Sequence, residues 1–200
     1  MASTEPSQSR VPYSYWLVGA TALLLFLTRF TGPSDLADNF HQERQASYVL
    51  DILQNGHWAC QRDPYGDIAS KPPLHAWISA LTSVVCGGFS WFTLVLPGGL
   101  AATGTALLLL YAGRRYFSES AGLFAALFFL ISPVGLRQIV QGRIDGLFAF
   151  TITATALLAF EAWHSGRHWT WFWVAAAMAT LAKGPLGLVL GSIGLLAAIW

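Results

Sequence analysis

Long apolar runs alternate along the chain with short polar segments. The runs from Val11 to Thr28 and from Pro72 to Gly113 contain no Asp, Glu, Lys or Arg. An α-helix needs about 20 predominantly apolar residues to cross the hydrocarbon core of a bilayer. The pattern therefore predicts an all-α fold, a polytopic bundle of membrane helices joined by polar loops.

The number of membrane spans depends on how the second of these runs is divided. Two spans would put Arg114 and Arg115 on the same side as the long polar loop 31–73, whereas one span puts them on the opposite side. Because short cytoplasmic loops carry an excess of Lys and Arg, we expect one span, preceded by an interfacial helix over 74–89. Residues 1–10 then form a cytoplasmic tail. The six predicted spans lie near residues 12–28, 92–112, 121–135, 146–162, 169–182 and 185–200.

Composition places the chain among integral membrane proteins. Hydrophobic residues make up 54% of the sequence and charged residues only 10%, whereas soluble domains contain about 25% charged residues. The net charge of +1 and the lack of a basic tract give no reason to expect a nucleic-acid partner. The last apolar run is still open at Trp200, so we expect residues 11–200 to be the N-terminal part of a longer transmembrane module.

Residues suited to a binding or catalytic site fall in alternate polar connections. If the chain crosses the membrane six times from a cytoplasmic N-terminus, the first, third and fifth connections lie on the same side of the membrane, opposite the cytoplasm. We therefore expect a single site at the outer face of the membrane. The candidates are His41, Glu43, Arg44 and Lys71 in the first connection, Arg143 and Asp145 in the third, and Lys183 in the fifth.

Two lysines are the strongest candidates for binding an anion. Lys71 precedes Pro72 and Pro73, which fix an extended backbone and present the ammonium group where the chain meets the bilayer. Lys183 lies between two apolar runs at the predicted outer face, where a lone lysine is uncommon. An ammonium group at either position suits a phosphate. A lysine that only marks the membrane interface is an equally good explanation of Lys71.

The acidic residues near these cations have both structural and functional explanations. Asp145 opens an apolar run, so it is either a helix cap that the helix dipole favours or a functional carboxylate of the membrane domain. Apolar residues at helical spacing from Ala46 to Leu53 predict an amphipathic surface helix that ends at Asn55-Gly56. At the start of that helix, Glu43 and Asp38 are typical of helix capping.

The order and spacing of several short motifs resemble a known family. Arg44 is followed by Gly56-His57-Trp58 and then by Lys71-Pro72-Pro73-Leu74, as in the first outer loop of bacterial aminoarabinose transferases and protein O-mannosyltransferase-like enzymes. Asp145 at the start of a span and Lys183-Gly184 continue the resemblance. These enzymes are polytopic glycosyltransferases of the GT-C type, and the aminoarabinose transferases act in lipid A modification.

The resemblance implies a reaction at the outer face of a bacterial plasma membrane. A sugar passes from a polyprenyl-phosphate carrier to a lipid, protein or glycan acceptor, usually with inversion, and the carrier phosphate leaves. This chemistry needs cations near the leaving phosphate and a carboxylate near the acceptor. The polar connections supply both kinds of group, and Asp145 is a candidate for the catalytic carboxylate. The candidates for binding the donor phosphate are Lys71, Lys183, Arg44 and Arg143.

The sequence departs from the family where the main catalytic carboxylate is expected. Relatives carry an acidic pair ahead of the arginine of the first outer loop, and this pair falls on His41 and Gln42 here. We expect His41, Glu43 or Asp38 to replace the missing acid, and an imidazole is suitable because it titrates near neutral pH. A divalent metal held by His41, Glu43 and Asp145 is a further hypothesis.

Two other functions are open at this point. A transporter places its charged groups near the middle of broken membrane helices, whereas these residues fall at the ends of predicted spans. The second possible function is that of a non-catalytic relative, which binds the lipid carrier without transferring sugar. The absence of the acidic pair is consistent with this function.

Overall fold

The computed structural model describes residues 12–31 and 40–199, and it describes side chains for residues 12–31 and 42–195. Every regular element in these ranges is a helix, and the bridge between Arg62 and Ile68 is isolated. The all-α prediction is thus confirmed for the described part of the chain. The helices are α1 (Tyr13–Thr28), α2 (Phe40–Asn55), α3 (Leu74–Val85), α4 (Trp91–Tyr116), α5 (Glu119–Ile131), α6 (Pro133–Val140), α7 (Ile144–Ser165), α8 (Trp169–Lys183) and α9 (Leu186–Ile199).

Three helical segments among the described residues are long and apolar enough to cross a membrane. They are Tyr13–Thr31, which joins α1 to a short 3-10 turn, and the helices α4 and α7. The bent pair α5 and α6 is a fourth candidate if it is counted as one span. The helix α8 has 15 residues and α9 has 14, fewer than the roughly 20 of a full span. The chain is an integral membrane protein, and six crossings stay a prediction.

The span predicted over 121–135 falls on two helices, and whether they cross the membrane together stays a prediction. The helix α5 ends at Ile131, α6 begins at Pro133, and the two axes differ by 65°. Pro133 has no N–H to donate, and its ring pushes Ser132 out of the helical region, to ψ 151°. The Ser132 hydroxyl then accepts a hydrogen bond from the Gly135 N–H at 3.0 Å, so it begins a new helix in a new direction.

The helix α4 is the centre of the bundle, since it packs against α1, α3, α5, α6 and α7. Its crossing with α5 is close because Gly113 meets Gly122: a Cβ atom at Gly113 would lie 2.2 Å from the Gly122 Cα. Nearer its start, a Cβ atom at Gly98 would lie 3.0 Å from the Gln138 carbonyl oxygen. These contacts hold both α5 and α6 against α4. The core around them contains Val18, Ala22, Ala102, Ala106, Leu110, Ala126, Leu130 and Ile139.

The amphipathic helix predicted in the first connection is α2, and it ends at Asn55 as the Asn-Gly signal indicates. Gly56 takes a φ of +70°, in the left-handed region that favours glycine. The apolar face of α2 is covered by protein, because Val49 and Ile52 are buried in one cluster with Ala76 of α3. The helix predicted over 74–89 is α3. An interfacial position for both helices stays a prediction.

The two ends of α7 mark the two ends of the bundle. This helix has 22 residues, which corresponds to a length of about 33 Å. Asp145 lies in its first turn. Near its other end, Glu161 pairs with Arg115 from the last turn of α4 at 3.6 Å. We call the region of Asp145 the cavity end and the region of Arg115 and Glu161 the far end.

Candidate functional site

A cavity of about 130 Å³ lies at the cavity end of the bundle. Its walls come from α2, from the segment before α3, from the start of α7 and from the last residue of α8. Residues that the sequence places in three separate connections therefore meet around one space. Gln45 and Ile144 join them, and neither was predicted. The lining residues are Arg44, Gln45, Lys71, Arg143, Ile144, Asp145 and Lys183.

Asp145 joins two cations across the cavity wall. Its Oδ1 atom accepts a hydrogen bond from the Lys183 Nζ at 2.8 Å, and its Oδ2 atom pairs with the Arg143 Nη2 at 3.1 Å. Arg143 occupies the N-cap position of α7, where no side chain makes a cap hydrogen bond. The contacts of Asp145 described above are both with basic side chains. The carboxylate thus ties the start of α7 to the end of α8.

Lys183 is held in place from two sides. It is the last residue of α8, which ends because Gly184 takes a φ of +80°. Besides its bond to Asp145, the Lys183 Nζ lies 5.2 Å from the centre of the Phe148 ring, within the range of a cation–π contact. The ammonium group therefore has a fixed position at the cavity.

Lys71 reaches the cavity from the segment that joins the first connection to α3. Pro72 and Pro73 separate it from the first residue of that helix, Leu74. No acidic side chain in the described part of the chain pairs with Lys71. Its ammonium group therefore adds positive charge to the cavity without a neutralising neighbour among those residues.

Basic residues outnumber acidic ones among the described residues that line the cavity. Four basic residues and one carboxylate, Asp145, line it in the described part of the chain. Electrostatic attraction is stronger in a partly buried, low-dielectric cleft than in bulk water. The arrangement is therefore suited to an anionic group such as a phosphate, which cations on several walls can contact together.

A second carboxylate, Asp51, organises the loop that leads to Lys71. Asp51 accepts hydrogen bonds from the Arg62 N–H at 2.7 Å, the Asn55 Nδ2 at 2.8 Å and the His57 Nδ1 at 3.1 Å. Burial raises the pKa of Asp51, but the bonds from Asn55, Arg62 and His57 outweigh burial and hold the pKa below its ordinary value of 3.8. Sequence reasoning missed this residue, because only the folded loop brings its three donors together.

The same loop is tied to α3 through Trp58. The Trp58 carbonyl oxygen accepts a hydrogen bond from the Trp77 Nε1 at 2.6 Å and another from the Gln61 amide. The Gln61 carbonyl in turn accepts from the Ala69 N–H at 2.8 Å. The backbone two residues before Lys71 is therefore fixed relative to α3.

Three predicted residues contribute no described side chain to the cavity. Glu43 lies on the exposed side of α2 and does not line it. Asp38 lies outside the described residues, as does the side chain of His41. Among the described side chains, no group of three His, Cys, Asp or Glu residues converges to hold a metal ion, and Asp145 faces two cations. The metal hypothesis finds no ligand set in this part of the chain.

Comparison with known families identifies the class of protein. The sequence profile of the dolichyl-phosphate-mannose-protein mannosyltransferase family matches residues 70–200, more than half of the chain. The chain belongs to this family. The match includes Lys71, Arg143, Asp145 and Lys183, and it confirms the resemblance to GT-C glycosyltransferases that the motifs indicated. This family member is therefore related to membrane glycosyltransferases.

Two curated proteins illustrate how much of the family's length this chain represents. An uncharacterized protein of Aquifex aeolicus (strain VF5) is 32% identical over 120 residues, which cover 60% of this chain and 27% of that protein. YycA of Bacillus subtilis (strain 168), provisionally named a mannosyltransferase, is 27% identical over 121 residues, which cover 60% of this chain and 17% of YycA. The chain spans less than a third of the length of either relative.

Crystal structures of ArnT from Cupriavidus metallidurans share the fold. The apo structure matches with a TM-score of 0.75 and 22% identity, over 92% of this chain and 35% of the ArnT chain. The structure bound to undecaprenyl phosphate matches with a TM-score of 0.72 and 21% identity, over 92% of this chain and 36% of the ArnT chain. The family member described here thus has the helical arrangement of about one third of ArnT.

Proposed function

We propose that the protein is a membrane glycosyltransferase that moves a sugar from a polyprenyl-phosphate carrier to an acceptor at the extracytoplasmic face. The observation that carries this proposal is the convergence of four basic side chains on one cavity at a single end of the bundle. Membership of the mannosyltransferase family supports sugar transfer. The ArnT structure with undecaprenyl phosphate supports a lipid-phosphate donor. The acceptor is a lipid, a protein or another glycan.

The proposed reaction breaks one bond and forms another at the anomeric carbon of the sugar. An acceptor oxygen attacks this carbon, the bond to the carrier phosphate oxygen breaks, and the electron pair leaves with the phosphate. Because negative charge grows on the leaving phosphate, cations placed beside it stabilise the transition state. Lys71 and Lys183 supply two such cations, and Arg44 and Arg143 line the same cavity.

An acceptor hydroxyl must also lose a proton. Both oxygen atoms of Asp145 already interact with cations, so accepting a proton there would break an ion pair. We propose that Asp145 chiefly sets the positions of Lys183 and Arg143. The proton acceptor is then one of the three candidates around the start of α2, of which His41 occupies the first position of the relatives' acidic pair. An acceptor that is already an anionic phosphate needs no base.

The proposed topology has six crossings, a cytoplasmic N-terminus and a cavity outside the plasma membrane of a bacterium. It is supported by the origin of the cavity residues, which come from the first, third and fifth connections. It is also supported by Arg115, His164 and Arg167 in the second and fourth connections, which agree with the excess of basic residues in cytoplasmic loops. The short helices α8 and α9 would take additional length from polar flanks.

Two alternatives have different experimental signatures. A non-catalytic protein that binds the carrier is favoured by the replacement of the acidic pair with His41 and Gln42. A transporter is favoured less, because Asp145 lies in the first turn of α7 and Lys183 at the end of α8, rather than in the middle of a broken helix.

The test uses the purified full-length protein in lipid nanodiscs and undecaprenyl phosphate as the probe. We expect the probe to bind and Lys183→Ala to weaken binding. With an undecaprenyl-phosphate sugar, Asp145→Asn should lower turnover while the fold is kept. Mass spectrometry of lipids and glycans from cells with and without the intact gene identifies the product. Unchanged binding and turnover in both variants would reject this site.

The same preparation separates the alternatives. Carrier binding without any glycosylated product, in cells or in vitro, indicates a non-catalytic protein. Uptake of a soluble solute into proteoliposomes that contain no lipid carrier indicates a transporter.

A further inference from the structure

Gln42 connects two walls of the cavity. Its side chain is 5% exposed, near the start of α2, and its Oε1 atom accepts a hydrogen bond from the Gly142 backbone N–H at 3.0 Å. Both groups are buried, and they lie 100 positions apart in the sequence. Because a backbone N–H can only donate, the oxygen of the amide must face it. The bond therefore joins the first connection to the third in a defined geometry.

Gly142 is tightly enclosed where it makes this bond. A Cβ atom at Gly142 would lie 2.7 Å from the Leu94 Cγ of α4, so the backbone at this point packs directly on that side chain. Without the oxygen of Gln42, the Gly142 N–H would be a buried donor that has lost its partner. Such a group costs more free energy than an ordinary hydrogen bond contributes. The position of Gly142 thus depends on the acceptor that α2 provides.

The residues on either side of this bond line the cavity, whereas Gln42 does not. Arg143 follows Gly142 directly, and Asp145 follows two residues later. On the other side, Arg44 lies two residues after Gln42. The bond therefore lies between the α2 wall and the α7 wall of the cavity.

We propose that Gln42 is a positioning residue, which holds the segment of Arg143 and Asp145 at a fixed distance from Arg44. Small displacements of charged groups at such a site lower its affinity and its rate. Gln42 stands where relatives carry the second acid of their pair, and its amide keeps an acceptor oxygen there without adding negative charge to the cavity. The expected effect on ligand binding rests on the proposed function, whereas the hydrogen bond itself does not.

The first test measures the hydrogen bond directly in the full-length protein. Gln42→Met has a similar length but no amide oxygen, so we expect the Gly142 amide to exchange with deuterium about tenfold faster or more. Gln42→Glu keeps an acceptor oxygen and should retain slow exchange. Gln54→Met is the matched control, since Gln54 is an exposed glutamine on the same helix. Unchanged exchange at Gly142 in Gln42→Met would overturn the proposal.

The second test asks whether Gln42 acts through Asp145, with undecaprenyl phosphate as the probe. Gln42→Met should weaken its binding about five- to tenfold in the native protein but less than about twofold in an Asp145→Asn background, because coupled residues are not additive. Equal losses in both backgrounds would overturn the positioning role. If Gln42→Met does not fold, Gln42→Asn, whose amide is too short to reach, replaces it with the same expectations.

The two tests also separate this proposal from the proposed function. If the native protein does not bind undecaprenyl phosphate, the proposed donor is wrong. The exchange rate of Gly142 then still decides whether Gln42 holds the third connection.

Discussion

The cavity end and the far end of the bundle contain similar charged groups in different balance. At the far end, Arg114 pairs with Glu119 at 3.0 Å and Arg115 pairs with Glu161 at 3.6 Å. At the cavity end, the carboxylate of Asp145 is shared by two cations, and two further cations line the same cavity. Each of these two far-end carboxylates therefore pairs with one arginine, whereas basic residues outnumber carboxylates among the described residues that line the cavity.

The far end shows how such groups act when their purpose is structural. The Glu161 carboxylate also accepts hydrogen bonds from the hydroxyls of Tyr111 at 2.7 Å and Tyr116 at 3.3 Å. The Glu119 carboxylate accepts one from the Ser14 hydroxyl at 2.9 Å. These contacts join neighbouring helices. Around the cavity, Asp145 makes ion pairs of this kind with Arg143 and Lys183, and under the proposed function the basic residues there also bind an anionic ligand.

Removing one basic side chain at each end tests this difference, and the loss of ligand affinity at the cavity end is the largest effect that we expect. Lys71→Met takes an ammonium group from the cavity, so we expect the affinity of the full-length protein for undecaprenyl phosphate to fall about 100-fold, as for the loss of a charge-assisted contact. Arg115→Met takes a cation from the far end and should change that affinity less than about twofold. Titration followed by native mass spectrometry measures both. Equal losses of affinity in the two variants would show that the basic residues of the cavity do not form the binding site.

The grouping of the cations could be predicted because it depends only on topology. Once the run 72–113 is counted as one span, the alternation of apolar runs predicts which connections share a membrane face, so the positions of Lys71, Asp145 and Lys183 were enough to predict one site. The structure brings all three to one cavity, and their chemical roles stay proposals. The end of α2 was also predictable, since Asn55-Gly56 is a local signal for the end of a helix.

Features that depend on tertiary contacts could not be predicted in this way. The apolar run across Ser132 and Pro133 has the pattern of one span, and membrane helices tolerate proline when neighbours satisfy the freed backbone groups. Ser132 and Pro133 can begin a new helix, but the structure is needed to show that the chain bends by 65° there and that α6 packs against α4. The bond from Gly142 to Gln42 and the donors around Asp51 likewise join polar groups whose partners the sequence does not identify.

A buried histidine on α3 differs from the exposed histidines of the far end. His75 on α3 is fully buried, and its ring nitrogens have no hydrogen-bond partner among the described residues, whereas His164 and His168 at the far end are exposed. Burial lowers the pKa of His75 from 6.5 to about 4. Between these pH values the unfolded chain binds a proton at His75 and the folded chain does not. The stability of the fold therefore falls as the pH decreases through this range.

Replacing the buried histidine should remove that pH dependence. We expect His75→Phe to lower the slope of unfolding free energy against pH between pH 6 and 5 by about 1 kcal/mol per pH unit, the value for one proton. Urea unfolding of the full-length protein in detergent at several pH values measures the slope. Ala76→Ser, a substitution at the neighbouring buried position that adds no titratable group, is the control for a general effect of changing α3. A His75→Phe protein as acid-sensitive as the native one would contradict this account.

The loop before Lys71 has its own dependence on pH. The pKa of Asp51 is held below its ordinary value, because its bonds to Asn55, Arg62 and His57 outweigh burial. The folded chain thus binds fewer protons at Asp51 than the unfolded chain near pH 3 to 4. The stabilisation from this carboxylate is complete above its ordinary pKa of 3.8 and is lost as the pH falls through the lower, folded-state value.

The smallest expected effect comes from removing this carboxylate at neutral pH. Asp51→Ala leaves the Arg62 N–H without its acceptor, so we expect the Arg62 amide to exchange about tenfold faster, while global unfolding changes by only about 1 kcal/mol. Asp63→Ala is the matched control. Its carboxylate binds the Tyr65 and Asp67 N–H groups at 3.0 Å in the same loop, so it should loosen those amides but not Arg62. If Asp51→Ala leaves the Arg62 exchange rate unchanged, other contacts hold the loop that carries Lys71, and the cavity end is more rigid than the Asp51 bonds alone can explain.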